Sequence, residues 1–363
     1  MQYNNMAFIG FGLIAGSIAK AIRKYRPESR IYAYTNNRSE LLKGKSDGII
    51  DIILEGIDNT LSDCAILFLC TPVEFNDKYL KDIKPYIRKD AIITDVGSTK
   101  SSIHSLAKEL ELEDVFIGGH PMAGSEKTGY DASDALLLEN TYYMITPSSK
   151  IDVEKLKVFS GIIESIKAIP FVIDYQKHDK VVATISHLPH IIAAALVNLV
   201  SENDYDDGVM KRVAAGGFKD ITRIASASPI MWEQICMINS EPINMMLRKY
   251  IDALEDVYSH LSAKSSTYIN NMFAKSGEYR NSLDTNSQGL IISKHDLSVH
   301  IQDKPGAISV ISAILAANSI SIKNIGINHN REKGEGALNI SFYDADSCEM
   351  AGKLLKEYNY KII

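Results

Sequence analysis

The sequence predicts an α/β chain: first a doubly wound parallel sheet, then an all-α segment, and last a small α+β unit. Three observations carry this. Short apolar runs alternate with helical patterns as far as residue 173, and the first is joined to its helix by the glycine turn GFGLIAG. From Tyr175 onward the strand and glycine signals nearly vanish and the apolar spacing becomes helical. After Leu290 alternation returns, with Leu297, Val299 and Ile301 apolar between Asp296, Ser298 and His300. The expected domains are therefore 1–173, 174–288 and 289–363, a division that 363 residues support.

At 45% hydrophobic and 23% charged, the composition is that of a globular protein with a sizeable core. The formal net charge of -6 and a pI near 5.9 supply no basic stripe for nucleic acid or an anionic membrane. The longest apolar stretch, IIAAALVNLV from Ile191, is too short to span a bilayer and contains Asn198, so no membrane partner is expected. The opening MQYNNMAFIG lacks the basic region and apolar core of a secretory leader. Cys64, Cys70, Cys236 and Cys348 form no CxxC and no framework spacing. The expectation is a reduced, cytoplasmic protein.

Met6 to Ile9 is a short strand that meets GFGLIAGSIAKAI. In a dinucleotide-binding turn Gly10 permits the tight bend and Gly12 lets a pyrophosphate approach the backbone. Ala15 takes the third small position, where helix packs on strand. The free amides at the helix start, from Leu13 and Ile14, then face the phosphates. Such a turn also uses glycine for packing alone, so the strands that follow matter, and they extend the pattern of a Rossmann-type sheet. Arg30 to Tyr34 is a second strand ending in TNNR. Thr35 stands where an NAD site usually carries an acidic residue, and the nearby Arg38 can meet a 2′-phosphate, so NAD is expected with NADP open. AILFLCTPVE is a continuous apolar run closed by Thr71 and Pro72, as for a strand buried on both faces. AIITDVGSTKSSI repeats the strand-turn-helix plan with Ser98 at the turn, either as a helix cap or as a neighbour of a catalytic group on the same sheet edge.

That group is His120, in VFIGGHPMAGSEKTG. Val115 to Ile117 reads as the end of a buried strand, Gly118-Gly119 turns the backbone out of the sheet, and Pro121 stiffens the exit. Ligands bind at that edge of open α/β sheets, and an imidazole there is a candidate proton acceptor. A loop histidine that satisfies a carbonyl is the alternative. Thr141 to Ile145, Val153 to Ile166 and Pro170 to Ile173 read as strand, helix and strand.

In the helical middle, HDKVVATISHLPHIIAAAL places His187 and His190 three apart on one face, with Pro189 between them expected to kink the helix. Two histidines can be metal ligands, but neither HExxH nor a matched cysteine set accompanies them, so no metal is expected and substrate binding is preferred. In AAGGFKDITRIASASPIMWEQI the pair Gly216-Gly217 breaks one helix. Arg223, among Ile221, Ile224 and the only tryptophan, Trp232, is suited to holding a carboxylate. A salt bridge with Asp220 or Glu233 is the competing assignment.

Taken in order, GFGLIAGS, CTPVE, TDVGSTK, GGHPMAGSEK, SHLPH and GGFKDITRIA resemble the prephenate dehydrogenases of tyrosine biosynthesis over essentially the whole length. The resemblance implies oxidative decarboxylation of prephenate to 4-hydroxyphenylpyruvate with a nicotinamide cofactor, and a helical domain that forms a homodimer. By position His120 matches the family histidine that accepts the hydrogen bond from the ring hydroxyl, and Ser98 the serine beside it. His187 and His190 match pocket histidines, and Arg223 the arginine that binds a substrate carboxylate. Two departures are Thr35, for the usual acid, and Lys219, where arginine is expected before Asp220.

NSLDTNSQ from Asn281 suits a linker. Beyond it a βαββαβ plan is expected. Its DKPG-A-I and SIKNIGI segments are similar to the ACT family of amino-acid-sensing modules, which makes Asp303, Gly306 and Asn324 candidate effector contacts and tyrosine the natural effector. An ACT fold kept only for dimerisation is the alternative. Among competing functions, arogenate dehydrogenase shares the chemistry on an amino substrate. A non-catalytic amino-acid and cofactor sensor has no need for a base, which His120, Ser98, His190 and Arg223 argue against.

Overall fold

The first strand, β1 (Asn5–Ile9), is wholly buried from Met6, and its alternation divides the core. Met6 and Phe8 face one apolar cluster, Ala7 and Ile9 the other. The same division runs through β2 (Arg30–Tyr34) and β4 (Ile66–Leu69), where Phe68 stacks on Phe8 at 4.8 Å. The computed structural model describes residues 3–124, 127–283, 295–302, 304–330 and 335–362. The chain divides into two compact units, Met1–Leu283 and Asp284–Ile363.

In the first unit, α1 (Leu13–Tyr25) and α2 (Arg38–Ser46) follow β1 and β2. The short β3 (Ile52–Ile53) comes next, then α3 (Val73–Ile83), β5 (Ile92–Asp95) and α4 (Ser101–Glu109). The five strands form a parallel sheet in the order β3-β2-β1-β4-β5, with helices on both faces, as the sequence predicts. The remaining strands are β6 (Ile117–Pro121), β7 (Tyr142–Pro147) and β8 (Ile169–Val172), with α5 (Val153–Ser165) between the last two. A parallel bridge from Ile93 to Phe116 joins them to β5, and β7 pairs with β8 in parallel. The pairing of β6 with β7 is antiparallel, a departure from the all-parallel expectation. Among the described residues no α-helix lies between these two strands to carry the chain back across the sheet, so it returns in the opposite direction.

A second departure concerns the glycine pair. Gly118 and Gly119 lie inside β6, not in a turn, and His120 is a strand residue. A methyl group at Gly118 would come within 2.3 Å of the Thr146 hydroxyl, and one at Gly119 within 2.6 Å of the Asp95 carbonyl. The glycines permit close approach of β5 and β7, and the strand itself aims His120.

Beyond β8 the chain is helical: α6 (Tyr175–Val182), a π turn over Ala183–His187, α7 (Leu188–Glu202), α8 (Val209–Val213), α9 (Gly216–Thr222), α10 (Pro229–Ile238), α11 (Ser240–Ser262) and α12 (Ser266–Ser282). Pro189 is the second residue of α7, directly after the π turn, where the helical register already shifts. Gly216-Gly217 opens α9 instead of ending a helix, with Ala215 as its N-cap. The turn also joins α6 and α7 into one helix over 175–202, longer than the apolar stretch taken alone. By length and composition this helix is apolar enough to cross a membrane, and 28% of its most apolar window is buried within the chain. Its buried polar residues His178, Asp179 and His187 are bonded to other parts of the unit, as in a core helix. Asn281 and Ser282, expected in a linker, belong to the last turn of α12.

The second unit contains β9 (Asp296–Gln302), α13 (Ala307–Ala317), β10 (Ile322–Asn330), β11 (Glu335–Phe342) and α14 (Ala345–Glu357). Its sheet is antiparallel in the order β10-β11-β9, and a bridge from Ile362 to Val299 supplies the last strand of the βαββαβ plan. Val299, Ile311, Leu315, Leu338, Ile340 and Leu355 close the core between sheet and helices.

Candidate active site

Gly10 ends β1 with φ +90°, a conformation that favours glycine, and a methyl group there would sit 2.7 Å from the Cys70 carbonyl. At Gly12, the N-cap of α1, an added methyl would meet nothing within 4 Å. The backbone thus borders open space at the point where a pyrophosphate has to come close. The helical ladder starts with the Gly16 amide bonded to the Gly12 carbonyl, which leaves the Leu13, Ile14 and Ala15 amides without intrahelical acceptors. These residues fit a dinucleotide phosphate. Ala15 is buried as expected, but the tightest helix packing falls at Gly16, whose added methyl would lie 2.7 Å from the Ser133 hydroxyl. Thr71, at the end of β4, donates to Asn76 at 3.0 Å, and Pro72 caps α3. Thr35 follows β2, half-buried. Arg38, expected to be available for a 2′-phosphate, is engaged instead by Glu55 through two bonds of 2.6 and 3.1 Å.

The carboxyl edge of the sheet at β5 and β6 is built around Lys100, which is wholly buried. Its ammonium donates to the Asp95 carboxylate and, at 2.8 Å, to the Gly119 carbonyl. Asp95 also accepts from the Gly119 amide at 3.2 Å and the Gly97 amide at 2.9 Å. The 96–100 loop carrying Ser98 is thereby tied to β6 beside His120. Ser98 is half-buried and does not cap α4. The Lys100 and Ser101 amides go to the two oxygens of Asp179 on α6, at 2.8 and 2.7 Å, a carboxylate at the positive end of a helix.

His120 stands at the seam between the sheet and the helical body. Its Nδ1 lies 2.9 Å from Nε2 of His178, whose Nδ1 lies 2.9 Å from Asp179. Asn239 donates to the Asp179 main-chain carbonyl and to His187 Nδ1, each at 3.0 Å. With Nδ1 accepting, the neutral His187 ring carries its hydrogen on Nε2. His187 meets Trp232 edge-on at 5.8 Å, while His190 stacks on the same indole at 3.9 Å and donates Nδ1–H to the Ser186 carbonyl. The two histidines thus share a face as the spacing predicts. The Trp232 Nε1–H is buried and meets no acceptor among the described residues.

The sequence placed Arg223 in an apolar cage. It is exposed, in a 3-10 turn (Arg223–Ser226) that packs against α7, and Ile221 is 61% exposed, because the segment around α9 has little to bury against. Lys219 is exposed on α9. In the second unit Gly306 caps α13 with φ +87°, and Asn324 accepts from the Ile325 amide beside a register shift in β10. Asp303 lies outside the described residues. Sequence reasoning missed His178, Asp179, Asn239 and the Asp95–Lys100 pair. The last sits inside the TDVGSTK motif, whereas the others carried no local signal. A cavity of about 870 Å³ in the corner of α11 and α12, lined in part by His260, Lys264 and Phe273, contains none of these residues.

Electrostatics follow from burial. Desolvation, with His178, Lys100 and His187 nearby, holds His120 well below the usual histidine range, so its imidazole is neutral near pH 7. Burial likewise lowers Lys100, against the pull of Asp95, and brings His104 and His187 down to about 4. Burial alone would raise Asp179, but bonds from His178 and the α4 amides outweigh it and leave the carboxyl lowered.

A phosphate-accepting glycine turn and a neutral imidazole at a domain seam are the arrangement of a nicotinamide-dependent oxidoreductase. A profile described as prephenate dehydrogenase, nucleotide-binding domain, matches residues 18–171, and one described as prephenate dehydrogenase, dimerization domain, matches 174–275. The chain is 37% identical to the prephenate dehydrogenase of Bacillus subtilis, over 96% of this chain and 94% of the relative. It is 35% identical to that of Lactococcus lactis, over 96% of each. It is also similar to the crystal structure of Aquifex aeolicus prephenate dehydrogenase in complex with hydroxyphenyl propionate and NAD+, with a TM-score of 0.73 and 29% identity. That match covers 78% of this chain and 99% of the other. The chain belongs to the prephenate dehydrogenase family.

The depressed histidines set an acid limit on folding. Protonation of His104 and His187 is resisted in the folded state but not in the unfolded one, so their stabilisation is complete above about pH 6.5 and is lost as pH falls toward 4. Each loss is on the order of 3 kcal/mol. Urea midpoints measured between pH 7 and 4 should fall across this window, and His104→Gln should flatten the curve.

Proposed function

We propose that the site catalyses the oxidative decarboxylation of prephenate to 4-hydroxyphenylpyruvate, with His120 as proton acceptor. The observation that carries the reading is a neutral imidazole at the seam, one nitrogen engaged by His178 and the other left for substrate. Prephenate is a ring dienol with two carboxylates. A nicotinamide cofactor, when bound, accepts the hydride released from the carbon bearing the hydroxyl. Gly10, Gly12, Leu13, Ile14 and Ala15 hold its phosphates, with Thr35, Thr71 and Pro72 on the same sheet edge. His120 draws the hydroxyl proton as hydride leaves and gives it back to the same oxygen as the ring carboxylate departs as carbon dioxide and the ring becomes aromatic. Aromatisation drives the step, while the chain supplies position and a base. Ser98, on the loop tied to β6, adds a hydroxyl beside the base. Arg223 and Lys219 supply positive charge for the carboxylates, and the His187 Nε2–H and Trp232 Nε1–H are donors of the same polarity.

The relatives aligned over nearly the full length favour prephenate over arogenate. The exposed apolar face of the helix over 175–202 suits a homodimer, within the segment that matches the dimerization profile. The reading further includes a cytoplasmic setting, domains at 1–173, 174–288 and 289–363, and an ACT-like last domain in which Asp303, Gly306 and Asn324 receive tyrosine as effector.

Turnover of His120→Asn should fall by roughly 10²–10⁴ with little change in affinity, and turnover equal to the parent would remove His120 from the base role. Arg223→Gln should raise the Michaelis constant about tenfold or more at nearly unchanged turnover.

NAD is the preferred cofactor in this reading, because Glu55 neutralises Arg38 and would repel a 2′-phosphate. Glu55→Gln should strengthen binding of 2′,5′-ADP relative to AMP by roughly fivefold, the scale of one exposed charge pair. Calorimetric titration reads this without turnover.

A further inference from the structure

Three residues that the family motifs quoted above do not include stand behind the base. His178 is fully buried, Asp179 is 2% exposed, and Asn239 is 2% exposed. Their hydrogen bonds run in a fixed order. Asp179 can only accept, and it already takes the Lys100 and Ser101 amides. The contact between Asp179 and His178 Nδ1 therefore requires the hydrogen to be on that nitrogen. In a neutral ring this leaves His178 Nε2 bare, and the atom 2.9 Å away is His120 Nδ1. Two bare nitrogens would repel at that distance, so beside a neutral His178 the His120 ring carries its hydrogen on Nδ1.

From this chain of contacts we infer that His178, held by Asp179, is a positioning residue that fixes the tautomer of His120 with Nε2 as the free acceptor. The inference rests on the proposed role of His120 as proton acceptor, and it adds why that ring is ready to act. In the opposite tautomer Nε2 would present a hydrogen to the substrate hydroxyl and could take none. When the reaction runs, the hydroxyl O–H bond breaks and an N–H bond forms at His120 Nε2. The resulting imidazolium keeps its Nδ1–H donated to His178 and returns the Nε2 proton to the oxygen once the departing carbon dioxide has left its bonding electrons in the ring. The product thereby regains its phenol O–H, and no proton passes through His178. The carboxylate of Asp179 orients the second ring from behind, and the backbone amides of α4 orient the carboxylate. Asn239 braces the same corner by donating to the Asp179 main-chain carbonyl.

The test is nitrogen-15 NMR of the full chain labelled at histidine, with His120 assigned from the spectrum of His120→Asn. The expected signature is a neutral His120 ring protonated at Nδ1. A ring protonated at Nε2, or at both nitrogens, overturns the proposal whatever any variant does. Kinetics add a second reading. His178→Leu removes the acceptor and should lower turnover by roughly 10²–10⁴, with the Michaelis constant for prephenate changed less than about threefold. His178→Gln restores a carbonyl oxygen about where Nε2 stood and should recover at least tenfold of that loss. Equal losses in both variants, or parental turnover in His178→Leu, overturn the positioning role. Failure here is distinguishable from failure of the functional reading. An inactive His120→Asn with an Nε2-protonated parent keeps the base and removes His178, whereas a fully active His120→Asn removes the base itself.

Discussion

Lys100 is the residue on which the site's construction depends. Its ammonium joins the end of β5 to β6 through Asp95 and the Gly119 carbonyl, and its amide joins α4 to α6 through Asp179. Four elements from both halves of the unit therefore meet at one residue with no exposed surface. Burying an ion pair is expensive, and the attraction repays it only where further hydrogen bonds satisfy both partners. Here Asp95 receives two amides besides the ammonium, and Lys100 donates to a carbonyl besides the carboxylate. Breaking such a pair costs about 3–5 kcal/mol, which is a large share of an ordinary domain's stability. An interaction this costly to build is better understood through what it places, which is the strand residue next to Gly119.

That residue is His120, and the same crowding that places it also sets its chemistry. The glycine pair lets β5 and β7 approach too closely for side chains, so water has little access behind the imidazole. Desolvation and the nearby positive charge of Lys100 both disfavour the imidazolium, so the ring is neutral at physiological pH. The lowered proton affinity has a cost in driving force, because a weaker base draws a proton less strongly. In the proposed role, for a reaction that ends in an aromatic ring, position matters more than base strength, and the burial that weakens the imidazole as a base also fixes it.

The parts of this arrangement that were legible in the sequence are those whose signal is local. GFGLIAG announces a strand-turn-helix by its own spacing, and the apolar runs of β1, β4 and β5 announce strands buried on both faces. His120 was legible as a residue, but the purpose of Gly118-Gly119 was not. A glycine that avoids clashing with a strand partner 24 or more residues away looks the same in sequence as one that turns the chain. His178 and Asp179 were silent for a similar reason. A His-Asp pair at the start of a helix reads as a solvated face, and its partners lie 58 and 79 residues away. The surroundings of Arg223 differ from the expectation in the other direction. Its apolar neighbours in sequence implied a cage, but Ile221 faces outward in the folded chain. Local composition cannot report which side of a short helix finds something to pack against.

The division of the base between two elements has a mechanical consequence. His120 belongs to the sheet, while the ring that orders its tautomer and the carboxylate that orders that ring belong to α6. The contact between them is a single 2.9 Å bond across the seam, and Asp179 spans the same seam to the amides of α4. A hydrogen bond is lost when its atoms move apart by less than an ångström beyond the usual range. Separation of the helical body from the sheet by that much would leave His120 with either tautomer available, and molecules with the hydrogen on Nε2 would be unable to accept a proton there. The proposed base would therefore be competent only while the two parts are seated together, and the Asp179 carboxylate on the α4 amides ties them at that point.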